Sequence, residues 1–173
     1  PAPQPMIALP VKFFNDIATT EGSSDSPMEQ AIADLVTIAF FFLLRVGEYT
    51  CPTKTKKTRT RQFRLKDINF WSRNAAGRRR RLPFNAPPAD LLAADAVTLI
   101  LSNQKNGMRD AVLHHDRVPG TLCPVKALAR RFAAARAASN GNPKALICQY
   151  GPSHHVVARH ISQVLDRAAI RTT

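Results

Sequence analysis

An arginine and a glutamate stand three residues apart at the end of the most apolar segment, AFFFLLRVGEYT (39–50). On a helix, Arg45 and Glu48 would lie on one face and could form an ion pair, and a cation also suits a helix C-terminus. The alternative is an anion clamp, since a guanidinium binds a phosphate through two parallel hydrogen bonds. Because a buried ion pair is a poor stabiliser, both residues are candidates for a functional site, and we expect Arg45 to be buried.

A lysine precedes the strongest short hairpin signal in the chain. Asn106-Gly107 favours a two-residue turn because both positions tolerate positive φ, and it lies between the apolar stretches 95–103 and 108–114. Lys105 is therefore predicted at the tip of a β-hairpin, with Arg109 on the returning strand. A solvated lysine is the plain interpretation, whereas a lysine on a finger that reaches into a groove is the functional one.

Most of the positive charge lies in one window. The chain has 25 Lys and Arg against 12 Asp and Glu, a formal net charge of +13. Residues 53–81 hold twelve of the basic residues and one acid, Asp67, so this window alone carries 12 − 1 = +11. Such density exceeds an ordinary solvated face and indicates a polyanionic partner. The residues that we expect to contact DNA are Lys54, Lys56, Lys57, Arg59, Arg61, Arg78, Arg79, Arg80, Arg81 and Arg109.

Other classes of protein are disfavoured by the sequence. The longest apolar run, 35–44, falls well short of the roughly 20 residues of a membrane span, and the first ten residues do not resemble a signal peptide. Three cysteines without a CxxC pair indicate a reducing, intracellular location. The five histidines match no closed zinc site. We therefore expect an intracellular, DNA-associated protein with no membrane contact, no metal and no cofactor.

The pattern of elements predicts an α+β fold, mainly helical with a small antiparallel β-sheet. Residues 1–27 are interpreted as an N-terminal segment or linker with a short helix near 11–18, and 28–173 as the domain. Ser26 and Pro27 are typical of a helix start, and the apolar run after them predicts a buried central helix over 28–48. FRLKDINFW is predicted as a strand and AAGRRRR as a loop, followed by the hairpin, a helix from Pro124 and a last helix over 153–169.

Four segments together carry a resemblance. FFLLRVGEYT, LKDINF, NQKNGMRDAVLHH and LCPVKALARRF occur in an order that resembles the catalytic domain of tyrosine recombinases, the phage-integrase superfamily, in its mobile-element versions. The resemblance covers about residues 28–170. It implies that Arg45 binds the scissile phosphate, that Glu48 orients Arg45, and that Lys105 protonates the leaving 5′ oxygen. A tyrosine would form a 3′-phosphotyrosyl link.

The chain departs from this family's pattern after the last predicted helix. After the helix from Pro124 it contains no H-x-x-R box, since His155 and Arg159 in HHVVARH are four apart, and Tyr49 and Tyr150 both precede the place where that box belongs. We therefore expect a C-terminally incomplete domain that does not cleave DNA by itself, and assign no nucleophile. The expected partner is double-stranded DNA, with a homo-oligomer on DNA left open. The alternatives are a non-catalytic nucleic-acid-binding module and a ribosomal or RNA-associated basic protein.

Overall fold

Six helices and two antiparallel sheets form the described parts of this computed structural model, residues 11–53, 61–101 and 111–173. The helices are α1 (Val11–Thr20), α2 (Pro27–Phe42), α3 (Val46–Tyr49), α4 (Pro88–Leu92), α5 (Pro124–Ala138) and α6 (Ala158–Thr172). The strands are β1 (Ile68–Arg73), β2 (Arg79–Arg81), β3 (Ala96–Leu101), β4 (Ala111–Asp116), β5 (Gln149–Gly151) and β6 (His154–His155). The expected class, helices with a small antiparallel sheet, is confirmed.

Helix α2 is the buried centre of the fold, as its sequence predicts. The Ser26 side chain accepts a hydrogen bond from the backbone N–H of Glu29, Pro27 takes the first helical position, and every residue over 31–38 is buried. The predicted C-terminal boundary is wrong, because α2 ends at Phe42 rather than at residue 48. Leu43 adopts a left-handed conformation (φ 54°, ψ 43°) and ends the helix by donating its N–H to the carbonyl of Ala39.

The larger sheet has the strand order β2-β1-β3-β4 and one face on the core. Phe70 on β1 lies edge-on to Phe132 of α5, with ring centroids 5.3 Å apart, and α5 in turn packs beside α2. The loop predicted for AAGRRRR is partly wrong, since Arg79–Arg81 form β2 against β1. The Asn74 side chain accepts from the N–H groups of Ala76 and Arg78, and Gly77 takes a φ of +74°. This tight turn returns the chain onto β1.

The predicted hairpin is confirmed as far as its strands are described. β3 and β4 pair from Leu101↔Ala111 to Ala96↔Asp116, so the returning strand extends beyond His114. Residues 102–110, which include the predicted tip, lie outside the described residues. At the other end of β4, the His115 ring donates from Nε2 to the carbonyl of Phe41 at 2.8 Å. The base of the hairpin is therefore fixed to the C-terminal end of α2.

The N-terminal segment interpreted as a linker contributes α1 to the same core as the rest of the chain. Phe13 and Ile17 are buried in that core, and the Arg171 guanidinium on α6 bonds both Asp16 and Glu21 at 2.6 and 2.9 Å. Helix α6 begins at Ala158, later than predicted, because His154–His155 pair with β5. In the described ranges, no helix combines the length and apolar character needed to cross a membrane.

Candidate nucleic-acid interface

The turn that carries Arg45 is organised by Glu48. Arg45 is the residue before α3, and its backbone N–H donates to Glu48 Oε2 at 2.7 Å. The Glu48 side chain is buried, and its backbone carbonyl accepts from the N–H of Phe63 at 2.9 Å. Glu48 thus binds the main chain of Arg45 and not its guanidinium, so it fixes where the turn lies without fixing where the charge points.

The expectation that Arg45 is buried is wrong, because its side chain is exposed. The left-handed Leu43 turns the chain outward immediately after α2, and Leu43 itself is 88% exposed. A guanidinium in water is solvated and screened, so the rigid, desolvated clamp inferred from the sequence has no support from this geometry. A role for Arg45 as an accessible phosphate contact stays a prediction.

The two tyrosines lie in different surroundings. Tyr49 is buried, and desolvation raises its pKa to about 12, which opposes formation of the phenolate. Tyr150 is partly buried, and its ring stacks on His154 with centroids 5.7 Å apart. Burial makes Tyr49 a poor candidate for attack on a DNA phosphate.

A basic surface forms where the arginine-rich window meets the sheet. Directly opposite residues of antiparallel strands share one face and successive residues alternate, so the register places one set of side chains on the side away from α5. We call this set the outer face; it consists of Asn69, Trp71, Arg73, Arg79, Arg81, Ala96, Thr98, Ile100, Val112, His114 and Asp116.

Contacts across the outer face hold several of these groups in place. The indole Nε1 of Trp71 donates to the Thr98 hydroxyl at 3.1 Å. Arg79 reaches Asp116 at 2.8 Å and His114 at 3.2 Å, and His114 lies 3.0 Å from the same Asp116 oxygen. The hydrogen bond from His114, helped by the charge of Arg79, lowers the pKa of Asp116. One arginine of the face is therefore restrained by a carboxylate.

The remaining predicted contact residues divide into two groups. Arg61, Arg78 and Arg80 are exposed, so they are accessible to a polyanion. The other group lies outside the described residues, so its predicted roles stay predictions. It consists of Lys54, Lys56, Lys57, Arg59, Lys105 and Arg109. The family resemblance implies that Arg45 and Lys105 act at the same phosphate, and this also stays a prediction.

Trp71 and Arg73 are not among the site residues predicted from the sequence. The signal was present in INFWSR, because alternation along a strand puts residues 69, 71 and 73 on one side. The alternation does not say whether that side faces the core or the solvent. Only the pairing with β2 and β3 shows that it is the face away from the core.

A second charged cluster lies in a groove of about 950 Å³ between α1, α2 and α5. Asp34 accepts from Arg130 Nε and Nη2 at 2.9 and 2.7 Å, and its other oxygen lies 3.8 Å from Arg131 Nε. Burial raises the pKa of Asp34 against the opposing effect of Arg130, and burial lowers the pKa of Arg131. We call Asp34 and Arg131, with Arg130 at their solvent-exposed edge, the buried cluster.

Comparisons with known proteins give no match: no family model matches the chain, and no curated protein or solved structure does. In the described parts of the chain, no three His, Cys, Asp or Glu side chains are grouped so as to hold a metal ion.

Proposed function

We propose that this chain is a double-stranded-DNA-binding domain of a tyrosine-recombinase-like protein that acts in site-specific recombination or integration. The observation that carries the proposal is the group of exposed arginines Arg73 and Arg78–Arg81, at the end of β1, on the turn after it and on the edge strand β2, in a chain of net charge +13. Arginine at high density on an accessible edge matches the regular phosphate charge of a duplex.

Sequence order adds the recombinase part of the proposal. The order of a buried helix, Arg45 three residues beyond its end, the strands of an antiparallel hairpin and a helix that begins at Pro124 supports this part of the proposal. In this proposal Arg45 contacts the scissile phosphate from the surface, and Lys105 acts as general acid on the leaving oxygen. Glu48 supports Arg45 by holding its backbone N–H, which is the contact observed.

The first test is the salt dependence of duplex binding. If six to ten phosphates are contacted, affinity should fall roughly 10³- to 10⁵-fold between about 50 and 200 mM salt, as measured by anisotropy of a labelled duplex. Neutralising Arg78–Arg81 together to glutamine should weaken binding to every sequence alike, because phosphate contacts carry no sequence information. A control variant neutralises two arginines on α6, Arg159 and Arg167. A flat salt response would reject the proposal.

The second test concerns the chemistry. Tyr49 is buried with a raised pKa, and no H-x-x-R box follows the helix from Pro124, so we expect no covalent product with a nicked suicide duplex. The assay is a protein–DNA band that survives denaturation. A band abolished by Tyr150→Phe or Tyr49→Phe would assign a nucleophile and contradict this expectation.

The alternative is a non-catalytic nucleic-acid-binding module, and the exposure of Arg45 favours it. In such a module Arg45 is one surface charge among many. Arg45→Gln would then weaken binding to a duplex with a strand break no more than binding to an intact duplex. In the recombinase-like domain, Arg45→Gln should reduce affinity more for the duplex with a strand break than for the intact duplex.

A further inference from the structure

The outer face combines an aromatic ring with arginines in a way that simple phosphate binding does not require. Trp71 is the single tryptophan of the chain and is half-buried near the middle of this face. Its bond to the Thr98 hydroxyl ties the indole to the neighbouring strand at 3.1 Å. A ring held in this way needs little further ordering when a planar group stacks on it.

We infer that the outer face binds an unpaired stretch of single-stranded DNA, with one base stacked on Trp71 and the flanking phosphates on Arg73, Arg79 and Arg81. This inference rests on the nucleic-acid binding proposed above and deepens it by naming the form of DNA that this face takes. Stacking on an aromatic ring beside a basic groove is the general physical basis of single-strand binding.

The tryptophan favours an unpaired strand over a duplex. In a duplex, each base already stacks on its neighbours and only its edges are accessible, whereas a splayed base offers its π-face to a side chain. Arg81 lies directly opposite Trp71 on β2, and Arg73 lies two residues along β1. With strands spaced by about 4.8 Å, both cations are close enough to bind the phosphates on either side of the stacked base.

The charges around the ring leave the face open to an anion. The Asp116 carboxylate is paired with Arg79 and His114, and the Asp95 carboxylate accepts from the backbone N–H of Arg73. In the described part of the chain, the guanidinium groups of Arg73 and Arg81 have no carboxylate partner. A strand that binds here therefore displaces no ion pair at those two arginines.

The fluorescence of the single tryptophan tests the inference in the unmodified full chain. A short single-stranded DNA should quench Trp71, because a base stacks on the indole. An oligomer of the same length with abasic sites keeps the phosphates and should bind without this quenching. A blunt duplex should bind and leave the fluorescence nearly unchanged, and single-stranded RNA should quench no better than DNA.

Variants measure the contribution of each group through anisotropy of a labelled single strand. Trp71→Phe keeps a ring and should bind close to normally, whereas Trp71→Leu should weaken binding about 5- to 150-fold. Arg81→Gln should weaken it more than Arg80→Gln, which removes the same charge from the opposite side of β2. Thermal unfolding of each variant checks that it folds. If Trp71→Leu does not fold, the quenching in the unmodified chain decides.

The outcomes separate the two proposals. Salt-dependent duplex binding without quenching by the single strand overturns the inference and leaves the proposed function standing. Equal quenching by the abasic oligomer or by the duplex overturns it as well, and stronger quenching by RNA overturns the assignment to DNA. If neither a duplex nor a single strand binds, both proposals fail.

Discussion

The buried cluster and the outer face each set arginines beside an aspartate, and they differ in what surrounds the charges. In the buried cluster the side chains of Asp34 and Arg131 are 8% and 5% exposed, whereas Arg79 and Asp116 on the outer face are 39% and 65% exposed. Water solvates the second pair and is largely excluded from the first. The same residue types therefore serve two purposes.

Desolvation determines how the charges of the buried cluster affect stability. The pKa of Asp34 is raised and that of Arg131 is lowered, so burial disfavours both charges more than their attraction favours them. Arg131 Nε has no hydrogen-bond partner within the described residues. Such a cluster is costly to break and contributes little by being present, while an exposed arginine can exchange its partner for a phosphate.

The largest expected effect is on stability and comes from the buried cluster. Asp34→Leu removes the oxygens that accept two hydrogen bonds from Arg130 and lie beside Arg131, contacts that a protonated carboxyl keeps, so it should lower the free energy of unfolding by about 3–5 kcal/mol, measured by urea denaturation near neutral pH. The double variant Asp34→Leu with Arg131→Met should recover much of this loss, because it removes both charges. A double variant no more stable than the single one would show that the pair stabilises the fold by itself.

The outer face should show the opposite profile, with an effect on binding and not on stability. Arg73→Gln with Arg81→Gln should reduce the slope of log affinity against log salt by about one per lost phosphate contact. The free energy of unfolding should stay within about 0.5 kcal/mol of the unmodified chain. A large loss of stability would mean that these arginines support the fold, and the contrast between the two regions would disappear.

The two aspartates should differ in the sign of their pH dependence. The folded pKa of Asp34 is raised above 3.8, so its contribution to stability is present at low pH and is lost as pH rises through that raised pKa. The folded pKa of Asp116 is lowered, so its contribution is present above 3.8 and is lost as pH falls through the lowered pKa.

Urea denaturation at several acidic pH values, compared with Asp34→Asn and Asp116→Asn, measures both contributions. The free energy of unfolding should contain a component from Asp34 that decreases as pH rises, and Asp34→Asn should remove it. Asp116→Asn should remove a smaller component that increases as pH rises. If both substitutions removed a pH dependence of the same sign, burial would not be the dominant cause of the pKa shift at Asp34.

The smallest effect concerns the restraint on Arg79. Asp116→Asn removes a negative charge from the outer face and releases Arg79, so binding of single-stranded DNA should become roughly 2- to 5-fold tighter, as expected for one exposed charge pair. Asp166→Asn, the same change on α6, should alter affinity less. Weaker binding by the Asp116 variant would show that its carboxylate places Arg79 usefully for the nucleic acid.

Local sequence determined the elements that rest on near neighbours in the chain. Ser26, Pro27 and the apolar run after them predicted the start and burial of α2, since capping and hydrophobic pattern act within a few residues. The apolar, β-branched stretch at 96–101 and the Asn-Gly pair predicted the β3–β4 hairpin. The charge count predicted an accessible basic surface without locating it on the fold.

Only the tertiary structure decided where the charges lie. Arg45 points to solvent because Leu43 ends α2 in a left-handed conformation, which the apolar run of phenylalanines before it does not signal. Arg79–Arg81 form a strand because β1 supplies hydrogen-bond partners, whereas their own sequence favours a loop. Arg79, His114 and Asp116 meet because four strands align in one register. These contacts join residues that are distant in sequence, and their free energy depends on burial and pairing that no local pattern contains.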